Sequence, residues 1–164
     1  CTDTMNSHTY EFSYEVADDI SQLNADDVAL LNQARSVTAQ AYAPYSNFRV
    51  GAAARLSNGA IITGTNQENA SYPVAICAER VLLGNAATQY PGVAIDTLAI
   101  SYASDHQSSD HPISPCGMCR QALLEYENRT HQPIRLLLSG QSGKIYIIHT
   151  TSSLLPLAFT GEEL

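Results

Sequence analysis

Three cysteines constrain the fold of this chain more than any other feature, because they lie far apart in the sequence yet suit a common site. Cys77 opens the stretch Cys-Ala-Glu-Arg, and Cys116 and Cys119 lie well downstream in Pro-Cys-Gly-Met-Cys. Three thiolates can hold a zinc ion and leave its fourth coordination position open for water, whereas a structural zinc site usually closes that position with a protein ligand. The sequence therefore predicts a fold that joins the two stretches in a catalytic site with one zinc per chain.

Two other uses of the cysteines stay open at this point. A Cys-x-x-Cys pair can be a redox pair, and an even number of cysteines can form disulfides. The chain has 164 residues, of which 45% are hydrophobic, so it can bury a core without covalent staples. Neither alternative explains Cys77 or Glu79, and Cys1, in a polar N-terminal segment, is expected to be incidental. A metal site is the preferred interpretation.

The order of predicted elements indicates an α/β fold. Apolar periodicity, the Asn58-Gly59 hairpin turn and a β-branched run give the order α-β-β-α-β-α-β-β. The predicted strands cover residues 48–56, 60–65, 93–102, 134–139 and 145–149, and the helices begin near residues 24, 77 and 116. Right-handed crossovers then give a three-layer α-β-α domain with a mixed five-stranded sheet. We expect this domain to span residues 23–164, preceded by an N-terminal arm, residues 1–22, with room for one edge strand.

The charge of the chain argues against a polynucleotide substrate. Its formal net charge is −8, and nucleic-acid binders usually carry a basic patch. No apolar run reaches the roughly 18 residues needed to cross a bilayer, and no signal peptide is recognisable. We therefore expect a cytoplasmic protein with a small-molecule substrate and neither nucleic-acid nor membrane partners.

Glu79 lies two residues after Cys77, close enough to act on water at the same ion. Zinc lowers the pKa of bound water from 15.7 to about 7, and a positioned acid or base contributes typically about 10²–10⁴-fold in rate. Hydrolysis of an amino-substituted aromatic ring needs both, because water attacks a carbon and the departing amine is protonated. A lone glutamate in a first helical turn would only favour the helix dipole. Next to a zinc ligand, it indicates catalysis.

The metal would carry an excess of negative charge, because three thiolates and Zn²⁺ sum to −1. A guanidinium that hydrogen-bonds the sulfurs would withdraw part of this charge. Arg80 and Arg120 each follow one cysteine stretch closely, and each is otherwise an ordinary helix-end cation. Arg80 is the preferred candidate for this role.

Several motifs together resemble the zinc-dependent cytidine deaminases that act on free nucleosides, in the class with three cysteine ligands. The resemblance runs from about residue 25 to the end of the chain. It rests on the motifs YSNFRVGAA (45–53), GTNQENASY (64–72), CAER (77–80), PCGMCRQ (115–121) and LLPLAF (154–159). It implies zinc as cofactor, Cys77, Cys116 and Cys119 as its ligands, and Glu79 as the proton shuttle, the arrangement of known zinc deaminases.

The resemblance also implies how the substrate is held. Asn66 and Glu68 are implied to bind the ribose 3′-hydroxyl, and their chemistry fits, since the amide can donate to a hydroxyl and the carboxylate can accept from it. Phe48 is implied to pack on the pyrimidine ring and the backbone of Ala78 to bind the cytosine edge. Without the resemblance, Asn66 and Glu68 could cap a turn, and Phe48 could be a core residue.

The same family shares active sites between subunits of a homotetramer. Phe159 is implied to reach into a neighbour's pocket and stack on the base, and Tyr72 to contact the interface. A lone phenylalanine near a chain end is otherwise a docking anchor for its own domain. His106 and His111 lie in a loop that is slightly long for the family, and both are expected to be solvated.

The leading hypothesis is therefore hydrolysis of cytidine and deoxycytidine to uridine and deoxyuridine with release of ammonia, as in pyrimidine salvage. A deaminase of another ring, of the blasticidin S or guanine type, is less consistent with Asn66, Glu68 and Phe159. A non-catalytic zinc-stabilised module would not need Glu79 or an open coordination position.

Overall fold

The computed structural model describes residues 5–164, so the expectation for Cys1 lies outside the described residues. The three α-helices are α1 (Ala25–Val37), α2 (Ala78–Gln89) and α3 (Gly117–Thr130). The strands are β1 (Glu15–Ala17), β2 (Phe48–Leu56), β3 (Ile61–Thr65), β4 (Ile95–Ser104), β5 (Arg135–Ser139) and β6 (Ile145–Ile148). Among these elements there is no helix both long enough and apolar enough to cross a bilayer.

One mixed sheet organises the molecule, with the strand order β1-β6-β5-β4-β2-β3. Strands β4 and β5 are parallel and joined through α3, whereas the other neighbouring pairs are antiparallel. The sheet therefore has six strands and not the five predicted. The additional strand, β1, comes from the N-terminal arm and pairs with β6, where Ala17 lies opposite Ile145 and becomes buried. Its three residues are too few to show a clear alternating pattern.

Helix α1 covers one face of the sheet. It begins after Asn24, whose side chain accepts a hydrogen bond from the Asp27 amide at 2.9 Å and so satisfies one free N–H of the first turn. Leu31 and Ala34 are fully buried in a cluster with Ala53 of β2, Ala99 of β4 and Leu137 of β5. This side of the sheet holds the smaller of the two apolar cores.

Helices α2 and α3 pack side by side on the opposite face, over the larger core. Leu82 of α2 and Leu123 of α3 are fully buried there. The residues just before these helices, at their N-caps, are Cys77 and Cys116. The α-β-α layering predicted from the sequence is confirmed, and it places the two cysteine stretches at neighbouring helix starts.

Gly64 in β3 allows α2 to approach the sheet closely at its first turn. A Cβ atom on Gly64 would lie 2.5 Å from the Ala78 carbonyl oxygen and 2.5 Å from the Leu82 amide nitrogen. Only a residue without a side chain fits this contact. The position of the helix that carries Glu79 is therefore set by direct contact of its backbone with the sheet.

Candidate metal centre and active site

The three predicted ligands form one cluster. The Cys77 and Cys116 sulfurs are 3.8 Å apart, and the Cys116 and Cys119 sulfurs are 3.4 Å apart. All three sulfurs lie within 4.8 Å of one another. Cys119 is buried and Cys116 is exposed, so the cluster is anchored in the protein and reachable from solvent.

This donor set fits a zinc ion. Zn–S distances of about 2.3 Å in a tetrahedron put the sulfurs about 3.8 Å apart, close to the separations observed. The three cysteines are free thiols, and no fourth His, Cys, Asp or Glu joins their group among residues 5–164. The cluster therefore suits an ion with one position left for a non-protein ligand. The disulfide interpretation is wrong for these three residues.

Hydrogen bonds among the sulfurs shift the pKa values of Cys77 and Cys119 in opposite directions. A hydrogen bond from the Cys119 thiol lowers the pKa of Cys77 to about 6, although burial opposes the decrease. Cys116 and the positive charge of Arg80 lower this pKa further. The same contact with Cys77 raises the pKa of Cys119 above its usual range, and burial adds to the rise. A divalent cation would replace the shared protons, because thiolate is the form that binds metal.

Glu79 lies in the first turn of α2 and is 5% exposed. Burial raises the pKa of its carboxyl group, and the negative charge on Cys77 raises it further. A carboxyl group with a raised pKa takes up a proton more readily than an ordinary carboxyl group. The structure therefore places the carboxyl group of Glu79 beside the sulfurs in a buried position.

The two arginines differ in what they contact. Arg80 is half-buried and acts on Cys77 through its charge. Arg120 donates from Nε to the Pro115 carbonyl at 2.9 Å and from Nη1 to the Leu154 carbonyl at 3.0 Å. Arg120 therefore holds the loop that presents Cys116.

Asn66 and Glu68 follow β3, and both are hydrogen-bonded within the chain. Asn66 accepts from the Val50 amide at 2.8 Å and donates to the Phe48 carbonyl at 2.9 Å. Glu68 accepts from the Tyr45 amide and from the Ser46 hydroxyl. Although desolvation alone would raise the pKa of Glu68, these hydrogen bonds lower it. Both side chains are held in place, and each keeps spare hydrogen-bonding capacity.

A cleft of about 320 Å³ adjoins Glu68. It is lined by Tyr45, Ser46, Glu68, Asn69, Tyr72 and Ala75. Tyr72 is 72% exposed, and its ring meets the ring of Tyr45 edge-on at 6.1 Å. Ala75 lies two residues before Cys77, so the chain runs directly from the cleft into the sulfur cluster.

Phe48 and Ala78 lie on different elements. Phe48, at the start of β2, stacks on Tyr102 with 4.9 Å between ring centroids. The Tyr102 hydroxyl is within 3.0 Å of the His111 ring. Ala78 is fully buried as the first residue of α2. The contact between Phe48 and Tyr102 could not be predicted from the sequence motifs, because it depends on how β2 and β4 pair.

The C-terminal segment presents Phe159 at the surface. This residue is 59% exposed, and its carbonyl accepts a hydrogen bond from Gln121 of α3 at 3.0 Å. The segment is therefore tethered to the helix that carries Cys119. The histidines of the loop after β4 are exposed, as expected, but each has a neighbour: His106 contacts Asn47 and His111 contacts Tyr102.

Comparisons with known proteins agree with this geometry. The model of the "Cytidine and deoxycytidylate deaminase zinc-binding region" matches residues 24–132. The cytidine deaminase of Halalkalibacterium halodurans is 39% identical over 139 residues, which cover 85% of this chain and 98% of that protein. The cytidine deaminase of Sporosarcina psychrophila is 36% identical over 135 residues, which cover 82% of this chain and 92% of that protein.

Solved structures are similar as well. The cytidine deaminase of Burkholderia pseudomallei has a TM-score of 0.70 and 34% identity, covering 84% of this chain and all of that one. The Mycobacterium tuberculosis enzyme has a TM-score of 0.64 and 33% identity, covering 84% of this chain and 99% of that one. The predicted fold class is confirmed.

Proposed function

The chain belongs to the cytidine and deoxycytidylate deaminase family with a zinc-binding region, and we propose that it hydrolyses cytidine and deoxycytidine to uridine and deoxyuridine with release of ammonia. The observation that carries this proposal is the cluster of three sulfurs beside the buried carboxyl group of Glu79. The catalytic unit in this proposal is residues 23–164, with residues 1–22 as an arm.

Cys77, Cys116 and Cys119 would hold one zinc ion, which when bound supplies a Lewis acid that activates water near neutral pH. Glu79 takes a proton from the attacking water and delivers it to the ring nitrogen next to the reacting carbon. It then takes the remaining proton of the added hydroxyl group and delivers it to the amino group, so that the C–N bond breaks, ammonia leaves and the oxygen becomes the ring carbonyl. The raised pKa of Glu79 supports this role, because it makes the carboxylate a stronger base toward the attacking water. Arg80 offsets part of the negative charge of the sulfurs.

Substrate binding is assigned to Asn66, Glu68, Phe48 and Ala78, of which Glu68 lines the cleft of about 320 Å³. Asn66 and Glu68 hold the ribose 3′-hydroxyl, and their fixed orientation supports this role because neither side chain needs to be ordered when substrate binds. Phe48 packs on the pyrimidine, supported from behind by Tyr102. The Ala78 backbone at the start of α2 binds the cytosine edge.

An absorbance assay with four compounds tests the substrate class. Cytidine, deoxycytidine, cytosine and cytidine monophosphate are compared at equal concentration. We expect turnover of both nucleosides, little turnover of cytosine because it lacks the ribose, and little of the monophosphate because the net charge of −8 repels phosphate. Preference for the monophosphate, or no turnover of any compound by zinc-loaded protein, would contradict the proposal.

A homotetramer with shared active sites accounts for several exposed apolar side chains. Tyr72, Val74, Met118, Leu157 and Phe159 are each more than half exposed. Large apolar side chains grouped near a functional site are typical of protein interfaces. In this arrangement Phe159 reaches a neighbour's base-binding pocket, and Tyr72 contacts the interface.

The products point to pyrimidine salvage, since deamination returns cytosine nucleosides to the uracil series. Three free thiols with a metal-binding role are preserved best in a reducing compartment, which supports the cytoplasm as the location.

A further inference from the structure

The N-terminal arm reaches beyond the edge of the sheet toward the zinc-ligand loop. Its strand β1 pairs with β6, and Tyr14 packs on Tyr146 of β6 with 5.1 Å between ring centroids. Upstream of β1 the arm continues to Tyr10, whose hydroxyl donates to the Ser153 carbonyl at 2.7 Å. The family match begins at residue 24, downstream of these contacts.

Tyr10 therefore binds the short turn at Thr151–Leu154, and this turn is linked to the zinc-ligand loop. The Leu154 carbonyl accepts from Arg120 Nη1 at 3.0 Å. The same guanidinium donates from Nε to the Pro115 carbonyl at 2.9 Å, one residue before Cys116. Leu154 is 7% exposed and Pro115 is buried, so these links are shielded from water.

The arm also forms one wall of a cleft beside this chain of contacts. The cleft has a volume of about 470 Å³, with Tyr10, Phe12 and Tyr14 on the arm side. Arg120 and Ser114 line the same cleft. The arm and the segment before Cys116 therefore border one cleft.

We propose that Tyr10 is a positioning residue for the zinc site. It fixes the turn at Thr151–Leu154, this turn fixes Arg120, and Arg120 fixes the loop that presents Cys116. The inference rests on the proposed zinc role of the three cysteines. Residues that hold the surroundings of metal ligands affect metal affinity because they restrict how far a ligand can move away from the ion.

The rate of zinc release to an excess of a colorimetric chelator tests this role. We expect Tyr10→Phe, which removes only the hydroxyl, to release zinc about three- to tenfold faster than the wild type. Tyr14→Phe is the matched control, because among residues 5–164 the Tyr14 hydroxyl has no hydrogen-bond partner, and its release rate should equal that of the wild type. A purely structural role would lower the melting temperature of Tyr10→Phe without changing zinc release.

The Arg120→Lys variant tests whether Tyr10 acts on the zinc-ligand loop through Arg120. Lysine keeps the charge but cannot bridge two carbonyls in the geometry of a guanidinium. If Tyr10 acts through Arg120, Tyr10→Phe adds little to the release rate in the Arg120→Lys background. Equal release by Tyr10→Phe and wild type, or an equally large effect in both backgrounds, overturns the proposal. A wild type that holds no zinc would instead refute the proposed function.

Discussion

Glu79 is the residue whose replacement separates proton transfer from metal binding. In Glu79→Gln the amide keeps the size of the side chain but cannot carry the proton. We expect the variant to keep one zinc per chain and to lose about 10²–10⁴-fold or more in kcat, the usual contribution of a positioned acid or base. Steady-state kinetics with cytidine and elemental analysis measure the two effects.

The control for Glu79→Gln is Glu125→Gln, which makes the same chemical change at an exposed position of α3. Its kcat and zinc content should match those of the wild type. If Glu79→Gln kept kcat within tenfold of the wild type while zinc remained bound, the proton-shuttle role would be refuted.

Much of the candidate site could be predicted at the residue scale, because the ligands and Glu79 lie in short motifs with fixed spacing. The sulfur cluster confirms that Cys77 joins Cys116 and Cys119. The contacts of Arg120 could not be predicted, since the Leu154 carbonyl comes from a distant turn. The stacking of Phe48 on Tyr102 likewise depends on the register of β2 with β4 and on no local pattern.

At the scale of elements, Gly64 sets the distance between β3 and the start of α2. Gly64→Ala would place a Cβ atom 2.5 Å from the Ala78 carbonyl oxygen, so the helix must move. We expect a loss of about 1–3 kcal/mol in the free energy of unfolding, typical of overpacking, together with a lower kcat because Glu79 moves with the helix. Chemical denaturation and kinetics with cytidine provide the measurements.

Gly84→Ala, in helix α2, is the matched control for Gly64→Ala. A Cβ atom there meets no atom within 4 Å outside the adjacent turns of its own helix, and alanine favours helix over glycine by roughly 0.5–1 kcal/mol. This variant should therefore be slightly more stable, with unchanged kcat. Equal stability of the two variants would show that the contact of Gly64 with α2 does not limit the packing.

The elements themselves were largely predictable, because helix starts and hairpin turns have local signals. Asn24 caps α1, and Gly59 has the positive φ of 87° that the turn requires. Strand β1 was uncertain because an edge strand gains its hydrogen bonds from a distant partner, here β6. Leu157, with a φ of 53°, has a backbone conformation that no local signal for a leucine predicts.

At the scale of the whole molecule, Glu127 joins α3 to two distant segments. Its carboxylate accepts from the Ile134 amide before β5 and from the amide and hydroxyl of Thr151. Burial would raise the pKa of Glu127, but these hydrogen bonds outweigh burial and lower the pKa. Its ionised form therefore stabilises the fold above the ordinary carboxyl pKa, and this contribution is lost as the pH falls through the lowered value.

We expect Glu127→Gln to be less stable than the wild type by about 1.5–3 kcal/mol at pH 7, the range for hydrogen bonds to a charged group. The difference should begin to narrow as the pH falls below the ordinary carboxyl pKa of 4.5, because the unfolded chain then gains a proton that folded Glu127, with its lowered pKa, does not yet bind, and it should narrow further until folded Glu127 is protonated as well. Melting temperatures from pH 7 to pH 3 measure this. Glu125→Gln, on the same helix, is the control, and its melting temperature should equal that of the wild type at every pH. If the difference in melting temperature between Glu127→Gln and the wild type stayed constant with pH, the charge-dependent role of Glu127 would be refuted.

At the same scale, the proposed homotetramer makes a prediction for Phe159, which is 59% exposed while its carbonyl is held by Gln121. If Phe159 acts in a neighbouring subunit, two defective chains can complement each other. A hybrid tetramer of Glu79→Gln and Phe159→Ala chains contains sites with an intact Glu79 from one chain and an intact Phe159 from the other. Random mixing would make up to about a quarter of all sites complete.

We therefore expect the mixture to regain activity after subunit exchange, well above the sum of the two separate variants. Exchange is followed by native mass spectrometry, and the same mixture assayed before exchange is the control. A chain carrying both substitutions, exchanged with Glu79→Gln, should gain no activity because it supplies no intact Glu79. If exchange is complete and activity does not rise, Phe159 acts within its own subunit, and the shared-site arrangement is wrong.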